Sequence, residues 1–356
     1  MTGDVFTLPH LAAGTIVIAL NLYVLFGGAD FGGGIWDLLA SGPRRRQQRV
    51  LIARAIGPIW EANHVWLILG VVLLFTCFPS AFASVSIVLH IPITLMLIGV
   101  VLRGSAFTFR TYDARTDVVQ RRWGAIFAIA SAVTPVLLGL CVGAVANGGV
   151  ARDATLDLAR TDFVTRFVAP WNTPFAWSVG LLTLALFAYL AAVYLCVEAP
   201  QRALQNDFRR RALTGAAAVA VASFLTFALA WTEAPQVGQG LTTGSTALAV
   251  HAATACTAIA TIAALLARRF ALARVTAAAQ ASFIVWGWAW SQFPYLLPPR
   301  ATITALAAPR ITLSLTLGAL AVGTVILLPS FLYLFRVFKG GGTSFERLQE
   351  ADPDGA

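Results

Sequence analysis

Long apolar runs separated by short polar segments are the dominant pattern along this chain. Nine windows each hold about 20 predominantly apolar residues, the length that an α-helix needs to cross the hydrocarbon core of a bilayer. We therefore predict an all-α polytopic membrane protein with about nine transmembrane helices. The predicted helices lie near residues 8–34, 55–78, 81–102, 124–146, 174–197, 212–231, 246–267, 274–295 and 311–335.

The apolar windows also define the domain organisation. Residues 1–339 contain all of them and are predicted to form a single integral-membrane domain. Residues 340–356 are polar, rich in glycine and acidic, which predicts a polar tail. Composition agrees with this division, because 58% of the 356 residues are hydrophobic and only 12% are charged. A soluble domain of this size is therefore excluded.

Basic residues are distributed unevenly between the two sides of the predicted helices. Of the 25 lysine and arginine residues, 20 lie in alternate connections and near the C-terminus, and five lie on the other side. Because Lys and Arg accumulate in cytoplasmic loops, this asymmetry predicts an external N-terminus and a cytoplasmic C-terminus. The net charge of +9 is then explained by topology and by contact with anionic lipids, and no nucleic-acid partner is predicted.

Two carboxylates lie inside apolar windows, where burying a charge costs about 3 kcal/mol or more. Asp30 follows Ala12, near the predicted start of the first helix, by 18 residues, which corresponds to a depth of roughly 27 Å. Glu61 lies seven residues beyond Arg54, roughly 10 Å into the second helix. Neighbouring antiparallel helices would place both acids in the cytoplasmic half. We interpret them as a stepped acidic path toward the middle of the membrane, with Glu61 the deeper acid.

The residues around each acid indicate how it could function. Asp30 lies in the motif Gly-Ala-Asp-Phe-Gly-Gly-Gly at 28–34, where missing side chains would let a neighbouring backbone, a file of water molecules or a flat cofactor approach. Pro58 precedes Glu61 and predicts a kink that admits water or a polar partner. A simpler alternative is that Asp30 caps the inner end of the first helix or pairs with a loop arginine.

Histidines offer the next candidate chemistry. His64 and His90 could both lie near the middle of the membrane, and two histidines on adjacent helices could in principle ligate a b-type haem. Their spacing matches no diagnostic pattern for haem or metal binding. We therefore predict that this chain ligates no haem and no metal ion.

A family resemblance is densest over residues 20–145. The stretches that carry it are "GADFGGGIWDLL", "GPIWEANHVWLIL", "LFTCFPSAFA", "LHIPITLMLIGVVLRGSAFTFRTY" and "WGAIFAIASAVTPVLLG". They resemble the signature stretches of subunit II of the cytochrome bd-type quinol oxidases. The resemblance implies two four-helix bundles plus one peripheral helix, and a multi-pass location in the bacterial cytoplasmic (inner) membrane.

The resemblance also implies an activity, cofactors and partners. The complex would be a respiratory terminal oxidase, a quinol:oxygen oxidoreductase that reduces dioxygen to water. Haems b and d, or b only, and the quinol site would belong to a partner, subunit I. This chain would contribute complex stability and a cytoplasmic proton path. Lipids, a bound structural quinone and a small single-helix subunit are further implied partners.

Residue by residue, the resemblance implies roles for five side chains. Glu61 matches an acid on the cytoplasmic proton route, and Asp30 matches the acid of the glycine motif. Trp66 matches a tryptophan associated with a hydrophobic oxygen entrance. Arg103 and Arg110 match the basic residues that end the third helix.

Two other functions fit the same pattern of buried acids. A secondary transporter could use Asp30 and Glu61 as coupling-ion sites, since midplane carboxylates and broken helices are also features of transporters. A purely structural subunit could use both acids only for packing. Co-purification with a haem-bearing partner would favour the oxidase subunit over the transporter.

Overall fold

The protein folds into long α-helices, as seen in a computed structural model that describes residues 7–56, 60–112, 117–152 and 161–339. A short antiparallel pair of strands, β1 (Tyr295–Leu297) and β2 (Ala301–Thr302), follows the thirteenth helix. The helices are α1 (Leu8–Leu38), α2 (Arg45–Ile56), α3 (Trp60–Cys77), α4 (Pro79–Val88), α5 (His90–Tyr112), α6 (Asp117–Ala146), α7 (Gly149–Arg152), α8 (Phe163–Phe167), α9 (Pro174–Glu198), α10 (Arg202–Glu233), α11 (Pro235–Gly240), α12 (Gly244–Leu266), α13 (Phe270–Gln292) and α14 (Arg310–Lys339).

Most of these helices are long enough to span a membrane. Within the described residues, eight helices have the required length and apolar character: α1, α5, α6, α9, α10, α12, α13 and α14. The number becomes nine if α3 and α4 count as one bent span. The predicted all-α fold with about nine transmembrane helices is therefore confirmed.

Two groups of helices make up one compact unit that ends at Ala307. In the first group, α1 packs against α3 and α6, and α5 packs against α6. In the second group, α9 packs against α10 and α13, and α12 packs against α13. Helix α9 also packs against α1 and α6, and so it joins the two groups. Residues from Ala308 onward form a second unit, which contains α14.

The single helix predicted at 81–102 is wrong, because a break at Leu89 divides it into α4 and α5. Helix α4 turns away from α3 by 118°, and α5 begins only at His90. Pro79 starts the short helix, since proline is tolerated in the first turn but cannot continue a preceding helix. The predicted helix boundary between residues 78 and 81 agrees with the break before Pro79. The apolar character continues across the second break, at Leu89, so hydropathy alone did not locate that one. The kink predicted at Pro58 lies outside the described residues.

Glycines in α1 set its distance from α9. A β-carbon built on Gly28 would lie 2.8 Å from the ring of Phe187. One built on Gly32 would lie 2.6 Å from the β-carbon of Ala191 and closer still to the carbonyl oxygen of Phe187. Only glycine therefore allows this approach. The sequence left open whether a backbone, water molecules or a flat cofactor approaches the glycine motif. The structure shows that the backbone of α9 does so.

Candidate functional site

Buried polar side chains from α1, α3 and α5 meet inside the first group of helices. We call them, with the aromatic rings between them, the Asp30 cluster. Its members are Tyr23, Asp30, Phe31, Asn63, His64 and Arg103.

Asp30 lies in the interior of α1, about two turns before the helix ends at Leu38. Its side chain is only 6% exposed, and it accepts a short hydrogen bond from Nδ2 of Asn63 on α3. The alternative in which Asp30 caps the inner end of the first helix is therefore wrong, because the helix continues well beyond the predicted residue 34.

Asp37 is the α1 carboxylate that pairs with a nearby arginine of α2. The Nε atom of Arg49 lies 3.7 Å from Oδ1 of Asp37, and Nε and Nη2 both donate to the Asp37 carbonyl oxygen at 3.3 Å. The pairing that the sequence offered as an alternative for Asp30 is thus found two turns further along the helix. The Asp30 side chain instead contacts Asn63 of α3, inside the first group of helices.

Arg103 is the most deeply buried charged side chain of the cluster, at 1% exposed. Its guanidinium carbon lies 4.6 Å from the ring centroid of Phe31 and 5.3 Å from that of Phe127 on α6. It also interacts electrostatically with Asp30. Cation–π contacts in a desolvated site contribute about 2 kcal/mol each, so the two rings offset part of the cost of dehydrating the guanidinium.

Sequence reasoning grouped Arg103 with Arg110 at a helix end and missed this burial. Seven residues, about two helical turns, separate the two arginines. Only the second can therefore lie in the last turn of α5, which ends at Tyr112. The seven-residue spacing was therefore the sequence signal that could have separated Arg103 from the helix end.

The two candidate histidines lie in different surroundings. The ring of His64 stacks on Phe31 at 5.9 Å and meets the edge of Tyr23 at 6.0 Å between centroids. His90 is exposed at the start of α5 and packs edge-on against Phe167 of α8 at 4.9 Å. The predicted midplane position of His90 is therefore wrong, because the helix begins there. Among the described residues, no three His, Cys, Asp or Glu side chains are grouped to hold a metal ion.

Glu61 and Arg110 belong to α3 and α5, but the positions of their side chains lie outside the described part of the structure. Because Asn63 reaches Asp30, the backbone of Glu61 lies about 3 Å nearer the start of α3 than this contact. The order of the two acids along the membrane normal stays a prediction. Trp66 is partly buried against the aromatic side of the Asp30 cluster.

A largely apolar cavity of about 530 Å³ adjoins the cluster. Tyr23 belongs to the Asp30 cluster and also lines the cavity, and Phe187 of α9 lines the cavity beside it. Side chains from α6, α10, α11, α12 and α13 complete the lining, among them Phe227 and Trp288. A cavity with walls of this composition favours hydrocarbon chains and flat apolar rings over polar substrates.

A polar network ties the connection after α1 to the start of α10. Arg44 donates from Nε and Nη2 to the two carboxylate oxygens of Asp207, at 2.8 and 2.6 Å. These hydrogen bonds raise the pKa of Arg44 above its ordinary value. Gln48 donates to the same carboxylate at 3.0 Å and accepts from Arg211 at 2.8 Å. We call this group the Arg44 network.

Comparisons with known proteins agree with one another. The family described as cytochrome bd terminal oxidase subunit II matches residues 8–338. A Bacillus subtilis protein named cytochrome bd ubiquinol oxidase subunit 2 is 34% identical over 115 residues, which are 32% of this chain and 32% of that protein. The Escherichia coli K12 protein named cytochrome bd-I ubiquinol oxidase subunit 2 is 24% identical over 224 residues, which are 62% of this chain and 54% of that protein. The matches therefore span about a third to about half of these relatives.

A solved structure shows the same fold. The structure of bd oxidase from Geobacillus thermodenitrificans contains a chain that matches with a TM-score of 0.77. The match covers 95% of this chain and 100% of the other, at 22% sequence identity.

Proposed function

Because the chain belongs to the cytochrome bd terminal oxidase subunit II family, we propose that it is the subunit without haem in a quinol-oxidising, oxygen-reducing complex. The proposed partner, subunit I, holds haems b and d, or b only, together with the quinol site. The proposed location is the bacterial cytoplasmic membrane, with residues 1–339 as one membrane domain and 340–356 as a cytoplasmic tail.

Within this complex, the chain is proposed to carry protons from the cytoplasm toward the oxygen site. The observation that carries this proposal is the burial of Asp30 together with Arg103, with which it interacts electrostatically, among helices long enough to span a membrane. Replacing buried charges by apolar side chains of similar size is often neutral or stabilising, so packing alone gives little reason to retain them. Ionisable residues inside membrane spans more often serve ion or proton transfer.

The neighbouring side chains suit a proton carrier. Asn63 donates a hydrogen bond to Asp30 and so orients its carboxylate. Arg103 supplies a positive charge that stabilises the carboxylate after it releases its proton, because burial weakens the screening between them. Glu61 lies two residues before Asn63 in the sequence of α3, and it is the second proposed proton carrier. Reducing one O₂ to two water molecules consumes four protons, and these two acids would deliver part of that supply.

The remaining proposed roles follow from apolar surfaces. The cavity beside Tyr23 supports the bound structural quinone or a lipid chain implied by the resemblance, since its lining is largely apolar. Trp66, which packs against the same aromatic group, remains the proposed oxygen entrance. Surrounding lipids and a small single-helix subunit are proposed as further partners.

Substitution of each acid by its amide tests the proton path. Glu61→Gln and Asp30→Asn keep shape and hydrogen bonding but cannot carry a proton. We expect the complex to assemble with its haem content intact, while quinol oxidase turnover falls by at least about tenfold in each variant. Glu61→Asp should retain much of the rate, because it restores a proton-carrying group one methylene shorter.

Asp37→Asn is the matched control, since Asp37 is an equally buried acid on the same helix that pairs with Arg49 outside the Asp30 cluster. It should turn over at close to the parental rate. If Glu61→Gln and Asp30→Asn also keep the parental rate between mildly acidic and mildly alkaline pH, both acids are structural. If the isolated chain instead moves ions across vesicles without a haem-bearing partner, the transporter alternative is correct.

A further inference from the structure

A second pocket, polar and also about 530 Å³, lies at the opposite end of α10 from the Arg44 network. It forms where α6 and α10 end and α9 begins, and residues between β1 and β2 close one side. We call it the Glu233 pocket. Its lining includes Asn172, Glu233, Gln236 and Arg300.

Acceptor oxygens and one guanidinium define the chemistry of the Glu233 pocket. Oε2 of Glu233 accepts a hydrogen bond from the backbone N–H of Phe175, in the first turn of α9, at 2.9 Å. The side-chain oxygen of Gln236 is buried and has no hydrogen-bond partner among the described residues. Neither of the two ion pairs found in the described part of the chain involves Glu233 or Arg300. The pocket therefore holds separate negative and positive groups.

Exposed tryptophans indicate the depth of this pocket in the membrane. Trp177 on the first turn of α9, Trp231 near the end of α10 and Trp290 near the end of α13 are 42%, 50% and 50% exposed. Tryptophan is enriched at the level of lipid headgroups, where its ring bridges apolar and polar regions. The Glu233 pocket thus opens at headgroup depth.

A buried layer separates the Glu233 pocket from the apolar cavity. Ala146 and Ala234 line the pocket, Phe175 and Val237 line the cavity, and all four belong to one packed cluster. A ligand of the polar pocket therefore places only its polar part there, and any acyl chains remain on the outer surface of the helices.

We propose that the Glu233 pocket binds the headgroup of a phospholipid that carries a primary ammonium, as in phosphatidylethanolamine. The ammonium has three N–H donors, and the oxygens of Glu233 and Gln236 are acceptors for them. The lipid phosphate accepts hydrogen bonds from Arg300, a charge-assisted contact. A choline headgroup has no N–H and cannot satisfy these acceptors. This proposal does not depend on the proposed proton path.

Lipid retention by the purified complex tests this assignment. The complex is washed with detergent, equilibrated in mixed micelles that contain equal amounts of phosphatidylethanolamine and phosphatidylcholine, and re-isolated, and the retained lipids are quantified by mass spectrometry. We expect phosphatidylethanolamine to be retained over phosphatidylcholine by about tenfold. That factor corresponds to about 1.4 kcal/mol, close to the lower bound for hydrogen bonds to charged groups.

Variants assign the effect to named side chains. Glu233→Gln keeps an acceptor for the Phe175 amide but should abolish the preference between the two lipids. Arg300→Gln should lower retention of both lipids equally, since both carry the phosphate. Asp162→Asn, at an exposed residue, and Arg166→Gln, at a partly buried one, are controls outside the pocket, and both should keep the parental preference.

Three results would overturn the proposal. Equal retention of both lipids by the parental complex would show that no ammonium donor is recognised. A full preference in Glu233→Gln would place the site elsewhere, and Gln236→Leu provides the same test if Glu233→Gln does not assemble. Complete displacement of the lipid by soluble glycerophosphoethanolamine at equal concentration would show that the pocket binds a soluble ligand and not a membrane lipid.

Discussion

Replacing Gly32 by alanine should force α1 and α9 apart. A β-carbon at this position would lie 2.6 Å from both the carbonyl carbon of Phe187 and the β-carbon of Ala191. Because non-bonded carbon atoms rest at about 3.5–4.0 Å, the helices would have to separate by about 1 Å. The blocking atoms include backbone, so a side-chain rotation cannot relieve the clash.

The expected destabilisation is set by two opposing effects. Inserting a methyl group into a packed interface costs about 1–3 kcal/mol, and every other contact between α1 and α9 would loosen with it. The intrinsic helix preference of alanine over glycine returns about 1 kcal/mol at most. The two effects leave a net cost of up to about 2 kcal/mol, so we expect Gly32→Ala to lower the temperature of half-inactivation of the complex by up to about 4–8 °C.

Gly14→Ala is the matched control, because Gly14 lies on the same helix and a β-carbon there meets nothing within 4 Å. This variant should be neutral or slightly stabilised. Both variants are compared in the same detergent by residual quinol oxidase activity after heating and by the amount of assembled complex. Equal thermal behaviour of the two variants would refute the close approach of α1 to α9.

Three further predictions concern topology, haem and the Arg44 network. Cysteines introduced at 147–170 should react with an impermeant thiol reagent from outside, and cysteines in 340–356 only after the membrane is opened; labelling of both from one side would contradict the topology. His64→Ala and His90→Ala complexes should keep their full haem spectrum, and loss of one haem with both subunits present would show ligation by this chain. Arg44→Lys replaces a bidentate ion pair with Asp207 by a single point charge. Because the pair is partly exposed, the melting temperature should fall by no more than about 2 °C. A much larger fall would show that this ion pair stabilises the protein more than its contacts indicate.

The helical fold could be predicted from the sequence because lipid imposes a simple rule on it. Every span must satisfy its backbone within a helix, so hydropathy locates the spans without knowledge of the packing. The break before His90 was not predicted for the same reason, because its flanking residues are as apolar as those of a continuous helix.

The candidate site was predicted in part. Asp30 was identified from the sequence because a carboxylate within a long apolar run is rare. Its relation to Arg103 was not found, because Arg103 was grouped with Arg110 at a helix end, and its packing against Phe31 and Phe127 is visible only in the structure. The role of the glycines near Asp30 also required the structure, since the close neighbour, Phe187, lies far away in the sequence.

The burial of Arg103 constrains the order in which the protein is built. When α5 leaves the translocon, an arginine this far inside an isolated helix costs about 2.5–3.5 kcal/mol. One of its two aromatic neighbours, Phe31, has been synthesised by then, but the other, Phe127, belongs to a helix that is still emerging. We expect α5 to remain shallow, with the guanidinium drawn toward the headgroups, until α6 arrives. The first group of helices would therefore pack together only after α6 has been inserted. Substitutions at Phe127 should lower the yield of inserted protein even where the finished complex tolerates them.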